Sequence, residues 1–370
     1  MKRLFFYSTL IVSLYSCDLK DSSSSAYSTN SLENFSFSVD TLVLDVGAEI
    51  FNSNGYSSYD LSEDGNSLFL FYEPEKEMHE YDMAEKKLVS RHPFETDGPN
   101  LIPSYFNYFQ ALPNDEFFMT DLVRSGIYSL DGKKLTSYKL RVENISGLNL
   151  DASFQLTKNS YISPDKQTLV SLPSKYGAPP AGLTVIDLKS MSGKILDLTA
   201  LEMTENYQVI FEEEMSQSGD FITTQFLHDQ FIIYSGATSA IYTYDWKRDS
   251  LKLHTFPHTL VAKSKTGEFP TKINSEERRK EVSKLMQKQI TFGKFYWDET
   301  RKNYFRIGTT NEDYTKAYLF SYDENFDLTG ETLIPDFYYI PYMEFFHAGK
   351  LYSFINVGEE PALVEFTFDF

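Results

Sequence analysis

Residues 116–140 read EFFMTDLVRSGIYSLDGKKLTSYKL, and this stretch decides the fold. Residues 117–121 are apolar and β-prone. Residues 127–130 form a second such run. Residues 135–140 alternate, with Leu135, Ser137 and Lys139 against Thr136, Tyr138 and Leu140. Asp131-Gly132 separates the second and third runs, and glycine tolerates the positive φ that tight hairpin turns require. The stretch therefore predicts three short strands in an antiparallel meander.

The same unit recurs in both directions along the chain. Its apolar strand returns as SLFLFY from Ser67, TLVSL from Thr168, FIIYS from Phe231, YFRIG from Tyr304 and LYSFI from Leu351. Taking starts at 68, 117, 168, 231, 304 and 351, the spacings are 49, 51, 63, 73 and 47 residues. A polar turn precedes each, and a second strand follows, such as LTVIDL, AIYTYDW and AYLFSYD. In five units an aspartate then marks the exit turn: Asp82, Asp131, Asp187, Asp245 and Asp323. A third strand follows in those five. A further candidate strand precedes the apolar one, as at 105–111 and 342–346. Four strands per unit and six units are the pattern of a β-propeller, which protects its sheet edges by radial packing. The apolar strands are greasy on both faces, as expected when each sheet is sandwiched between two others.

The sixth unit ends at Phe370 without its outer strand. Residues 35–45, FSFSVDTLVLD, alternate cleanly ahead of the first unit and are expected to supply it. The fold expected is all-β: a six-bladed β-propeller of four-stranded antiparallel blades, closed by an N-terminal strand, with one helical insertion. A pair of β-sandwich domains explains neither the spacing nor the orphan strand.

The N-terminus sets an address. Lys2 and Arg3 precede an apolar run over 4–14, too short for a span of roughly 20 residues and laid out as a secretory signal. Leu14-Tyr15-Ser16-Cys17 follows, and Cys17 is the sole cysteine. It excludes an internal disulfide. This resembles the bacterial lipobox, which implies lipid attachment at Cys17; Tyr15 is bulkier than the usual residue there. Residues 18–34 are polar and serine-rich and read as a tether. The expected organisation is a signal peptide over 1–16, a tether over 17–34 and the propeller over 35–370, with an insertion at 261–290. Asp18 resembles an inner-membrane retention signal. The cluster of Asp18, Lys20 and Asp21 resembles the surface-export signal of Bacteroidetes lipoproteins. The Tyr/Phe/Asn/Lys-rich style tilts the reading to the outer membrane or cell surface.

Composition excludes some classes. The net charge of −19 repels phosphate backbones, so no nucleic-acid partner is expected. No CxxC, HExxH, Walker or GxSxG pattern occurs. His254 and His258 lie in and just after a strand, roughly 13 Å apart along it, too far to share an ion. No cofactor, metal or catalytic residue is assigned.

The six units, the lipobox and the order of segments resemble the six-bladed propeller lipoproteins of Bacteroidetes in the DUF4221 group. Two local features carry the resemblance. Thr96-Asp97-Gly98-Pro99-Asn100 is similar to the Gly-Pro loop entering the second blade, with Asn100 in place of a glycine. Residues 296–306, YWDETRKNYFR, are similar to a segment in which an Asp-Glu turn leads into an aromatic-aromatic-Arg strand. The resemblance implies an architecture and a location, and no reaction.

Several residues are candidates for binding. Arg306 occupies a column held by Leu70, Met119, Val170, Ile233 and Ser353. A charge there must be paired or reach water, so it either locks neighbouring blades through an ion pair or points toward a ligand. Residues 271–290 form the one clear helix. Asn274 and Glu277 resemble a capping box, and Val282, Leu285, Met286, Gln289 and Ile290 share one face. In a four-stranded meander, the second-to-third turns and the between-blade links share one face. The long connections 95–104, 174–181, 199–216, 261–290 and 309–316 all fall there. Long loops on a rigid scaffold concentrate binding residues. A protein, small-molecule or glycan ligand is expected at that face, met by Gly98, Pro99, Tyr176, Arg278 and Arg279. The alternative is a calcium-dependent lactonase- or esterase-like hydrolase, with Asp, Asn and Glu clustered at the tunnel mouth.

Overall fold

The computed structural model describes residues 29–48, 52–104, 108–157, 159–214, 216–310, 316–334, 337 and 342–370. The signal sequence, Cys17 and the tether through 28 lie outside the described residues, as do 105–107 and 311–315. The described strands gather into seven sheets, six of four strands and one of three.

Strand β1 (Ser36–Val43) comes first in the chain but joins the last sheet. The first sheet is β2 (Tyr56–Leu61), β3 (Ser67–Tyr72), β4 (Glu77–Asp82) and β5 (Lys87–Pro93). The second is β6 (Phe109–Leu112), β7 (Glu116–Thr120), β8 (Ser125–Ser129) and β9 (Lys134–Tyr138). The third is β10 (Tyr161–Ile162), β11 (Thr168–Ser171), β12 (Leu183–Asp187) and β13 (Ser192–Leu196). Strands β14 (Gln208–Phe211) and β15 (Ser216–Gly219) begin a separate small sheet. The fourth four-stranded sheet is β16 (Ile222–Leu227), β17 (Gln230–Ser235), β18 (Thr238–Asp245) and β19 (Ser250–His254). Strand β20 (Lys272–Ile273) returns to pair parallel with β14, and helix α1 (Glu276–Gln287) follows. The fifth sheet is β21 (Thr291–Asp298), β22 (Asn303–Thr310), β23 (Lys316–Tyr322) and β24 (Leu328–Ile334). The sixth is β25 (Phe345–His347), β26 (Lys350–Val357) and β27 (Glu360–Asp369), with β1 outside β27.

The opening stretch is the meander β7–β8–β9, its strands starting one or two residues earlier than the sequence suggests. Gly132 has φ +80°, and a Cβ there would stand 2.8 Å from the Pro93 carbonyl oxygen, so glycine is required twice over. The recurring exit aspartates have a common job. Asp82, Asp187, Asp245 and Asp323 each accept main-chain N–H groups two to four residues on, bending the chain into the next strand. Asp131 differs, accepting from Ser129 Oγ and Lys133 Nζ.

Each apolar strand serves two interfaces because its side chains alternate. Leu68 and Leu70 pack toward Phe345, Phe354 and Leu363 of the sixth sheet, while Phe69 and Phe71 pack toward Phe109 and Phe117 of the second. Four more clusters join the second sheet to the third, third to fourth, fourth to fifth, and fifth to sixth. Strand β1 pairs antiparallel with β27, Ser36 opposite Asp369 and Val43 opposite Ala362.

Inner strands are joined across sheets by side chains that copy a strand's hydrogen bonds. Gln110 donates to the Ile162 carbonyl at 2.8 Å and accepts from its N–H at 2.9 Å. Gln225 does the same to Phe295, at 3.0 and 2.9 Å. Asp60 accepts from the Ala111 N–H at 2.8 Å. These residues face Phe118, Ile232 and Phe69, which hold one position in the repeat.

Four local expectations change. The helix is shorter than 271–290, because 272–273 are claimed by β14. Its cap is Ser275, whose Oγ accepts from the Arg278 N–H, in place of Asn274. Val282 and Met286 are buried against Val209 and Ile273, but Leu285 faces solvent. The tether ends early: Leu32 is fully buried, and Asn30 brackets the Glu331 main chain from both sides. No helix among the described residues is long and apolar enough to cross a membrane.

Candidate functional site

A polar cluster gathers between the inner strands, and every four-stranded sheet contributes to it. Tyr59 comes from β2, Tyr161 from β10, Tyr234 from β17, and Lys294 and Tyr296 from β21. Tyr108 and Glu344 sit just before β6 and β25. Lys294 donates to Tyr59 Oη at 2.8 Å and to the Glu344 carbonyl at 2.5 Å. Its ammonium also lies 5.5 and 5.4 Å from the Tyr59 and Tyr296 ring centres, within cation–π range. Tyr296 Oη donates to Glu344 Oε2 at 2.6 Å, and Tyr59 Oη donates to the Glu344 carbonyl. The Tyr108 and Tyr161 rings stack at 5.3 Å.

Local structure explains how Lys294 gets there. Strand β21 carries a bulge between Phe292 and Phe295, and bulges re-aim side chains. Arg306 Nε donates to the Gly293 carbonyl at 2.8 Å, holding the bulge. Its other two nitrogens donate to the carbonyls of Ser239 and Ser235, at 2.9 and 3.1 Å. Arg306 is fully buried and lies over the rings of Phe292 and Phe295. It braces the fourth sheet against the fifth through main-chain carbonyls, and it makes no ion pair among the described residues. In the third sheet its column is held by Ser171 and not Val170. The Ser163–Thr168 turn bond matches Ser62–Ser67 of the first sheet, setting the register.

The cluster is enclosed but not sealed. Lys294 keeps 26% of its side chain exposed and Glu344 13%. Burial pushes the phenols up, to about 12 for Tyr108 and Tyr234, so they stay neutral donors. Burial alone would lower the Lys294 ammonium, but Tyr59 and Glu344 outweigh it and hold the group above its ordinary value. Burial raises the Asp60 carboxyl to about 6, against the pull of two main-chain N–H donors. The arrangement offers one ammonium, several hydroxyl donors and open ring faces, which is binding chemistry. Among the described residues, no group of three or more His, Cys, Asp or Glu could hold a metal ion.

The cluster sits toward one end of the molecule. Tyr108, Tyr161, Lys294 and Glu344 lie at or near the strand starts where between-sheet connections arrive. Of the long connections expected at that end, three meet: 174–181, 199–216 and 261–290. Gly177, next to Tyr176, approaches Ile210, Arg279 lies 5.5 Å from the Phe211 ring, and Lys272 pairs with Ile210. Tyr176 is half exposed, and Arg278 is exposed beside Glu281. The Gly98-Pro99 loop makes its contacts elsewhere, through Asn100 to the Lys134 N–H and through the Leu101 carbonyl to Tyr128 Oη. His254 bonds Thr243 at 3.0 Å and His258 bonds Glu331 at 3.0 Å.

Sequence reasoning missed the tyrosine–lysine cluster. Its members come from six sheets and from different strand positions, so no linear motif announces them. The available signal was a tyrosine just upstream of several apolar strands. Stacked four-stranded antiparallel sheets with a polar cluster between their inner strands define a propeller-like β protein. The chain belongs to the DUF4221 family, a domain of unknown function, whose sequence profile matches residues 32–333. It resembles a DUF4221 member from Bacteroides vulgatus at TM-score 0.62 and 14% identity, covering 90% of this chain and 98% of that one. It also resembles a candidate exported protein of Bacteroides fragilis at TM-score 0.52 and 11% identity, covering 90% and 96%. At such identities the likeness shows the fold alone. No match is found among curated proteins.

Proposed function

We propose that the chain is a six-bladed β-propeller, closed by β1, that serves as a lipid-anchored binding module of the cell envelope. The carrying observation is the convergence of at least one side chain from, or just before, each four-stranded sheet at the end where the long connections arrive. Exposed apolar side chains support the same end. Leu122, Val123, Tyr176, Leu260, Leu285 and Tyr342 sit on connections of that end, and Val357 is the last residue of β26 there; the other exposed large apolar residues sit on the outer strands β1, β5, β9, β19 and β24. A contiguous apolar patch marks a contact surface, and on this reading these side chains contribute to one. The ligand is a protein, or a small molecule or glycan able to stack on tyrosine and accept hydrogen bonds.

Site-specific photo-crosslinkers at Tyr176 and Leu285, with a control at Asp131, test this in cells. Crosslinks from Tyr176 and Leu285 alone are expected. Crosslinks from Asp131 alone would overturn the assignment. For the anchor, a fatty-acid analogue should label the wild type and not Cys17→Ser, and Cys17→Ser should leave the membrane fraction. An unlabelled wild type with unchanged fractionation of the variant removes the anchor.

A further inference from the structure

A second site lies apart from the central cluster, on the outer flank of the second sheet. A cavity of about 360 Å³ is lined by Arg124, Tyr128, Lys134, Lys139, Arg141 and Glu143, among others. Four cations face one anion there, in a chain whose net charge is −19. Another cleft, of about 290 Å³ between the first and second sheets, is lined by Glu63, Asp64, Asp115 and Glu116 with no cation among its lining residues. The two clefts are opposite in charge.

The four cations sit on braced backbone. Residues 139–143, KLRVE, alternate: Leu140 and Val142 are buried in the core between the second and third sheets, which turns Lys139, Arg141 and Glu143 outward. Asn144 Nδ2 donates to the Lys139 carbonyl and its N–H to the Arg141 carbonyl, tying the turn. The turn carrying Arg124 is held by Asp121, which accepts from the Val123 and Arg124 N–H groups at 2.7 and 2.6 Å. Arg124 Nη1 donates to Ser104 Oγ at 3.0 Å, leaving its other nitrogens uncommitted among the described residues. Lys134 Nζ rests 5.6 Å from the Tyr128 ring centre. Lys134 and Lys139 make no ion pair among the described residues, and Arg141 meets Glu143 only at 3.9 Å. Like charges gathered at this density repel one another, and a bound anion relieves that repulsion. Fixed backbone lowers the ordering cost of binding.

We infer that this cavity binds a small multivalent oxyanion, one carrying two or more negative charges on carboxylate, sulfate or phosphate oxygens. The Gly98-Pro99 loop borders it through Asn100, Leu101 and Ser104.

Calorimetric titration of the full chain with citrate, inorganic sulfate and inorganic phosphate tests the site, at roughly 20 mM and then 150 mM ionic strength. At least one anion is expected to bind at low salt and to weaken at the higher salt. Lys139→Glu/Arg141→Glu should lower its affinity about tenfold or more. The charge-matched control Lys189→Glu/Lys252→Glu, on other sheets, should not. All four side chains are exposed, so unchanged melting will confirm that both variants fold. Preference for citrate assigns carboxylates; preference for sulfate or phosphate assigns a tetrahedral oxyanion. Equal affinity in the Lys139/Arg141 variant and the wild type, or no binding of any anion at low salt, overturns the site.

Discussion

Arg306 shows what a charge does inside a sheet stack. Its guanidinium is wholly buried, and burial lowers its pKa to about 10, so it stays charged at neutral pH. Three main-chain carbonyls satisfy it. Arg306→Ala should cost roughly 3–5 kcal/mol, because three acceptors lose their donor in the core. Arg306→Lys should recover little, since a point charge cannot reach three carbonyls set in a fork. Urea unfolding measures both; a loss under about 1 kcal/mol for alanine would remove the brace. His254 gives a pH prediction. Burial lowers its pKa to about 4. Between pH 6.5 and 4 the unfolded histidine binds a proton that the folded one refuses, so stability is full above 6.5 and falls with acid. Relative to His254→Gln, the wild type should lose up to about 3 kcal/mol over that window. A constant difference between the two would contradict the assignment. The special status of Arg306 was legible, because a lone arginine broke an apolar column. Its partners were not, because main-chain carbonyls leave no mark in a sequence.

The 261–290 insertion is an element the sequence located but could not fold. Periodicity revealed the helix. It did not reveal that β20 pairs with β14 into a small sheet that receives Val282 and Met286, since two-residue strands carry no period. The seat of the insertion is a buried ion pair, Lys265 to Asp220 at 2.7 Å, with Thr291 Oγ1 accepting from the same ammonium at 2.9 Å. Lys265→Ala should destabilise by about 3–5 kcal/mol by stranding a buried carboxylate. Lys265→Met/Asp220→Leu should be far milder. Equal losses in the two variants would show that the pair itself, rather than the stranded charge, sets the energy. Strand β1 was legible because its alternation had no partner nearby. Deleting 35–45 should bare the β27 edge and cause aggregation, read by light scattering. Deleting only 18–28 should leave scattering and melting unchanged. If loss of 35–45 is equally harmless, β1 is not what protects that edge.

Across the whole molecule, the repeat was readable because each unit reuses the same devices. An apolar strand is buried on both faces, a polar turn precedes it, and in four of the six an aspartate folds the exit through main-chain N–H groups. The central cluster was not readable, because it exists only once six sheets are assembled. Charge follows the same division. The acidic excess gathers mostly in turns and connections and sets a repulsive background. Against it, the basic cavity on the second sheet stands out only in three dimensions, because its cations come from a turn, a strand and a link.

The pairing of Ser36 with Asp369 and Val43 with Ala362 has a consequence for synthesis. Residues 36–43 must wait for residues 362–369 before they find their hydrogen bonds. Contacts this distant in sequence make folding slow, because the whole intervening loop must order first. A nascent chain stalled anywhere before residue 362 carries a strand without a mate. Until β27 arrives, that strand is an open edge able to pair with another chain.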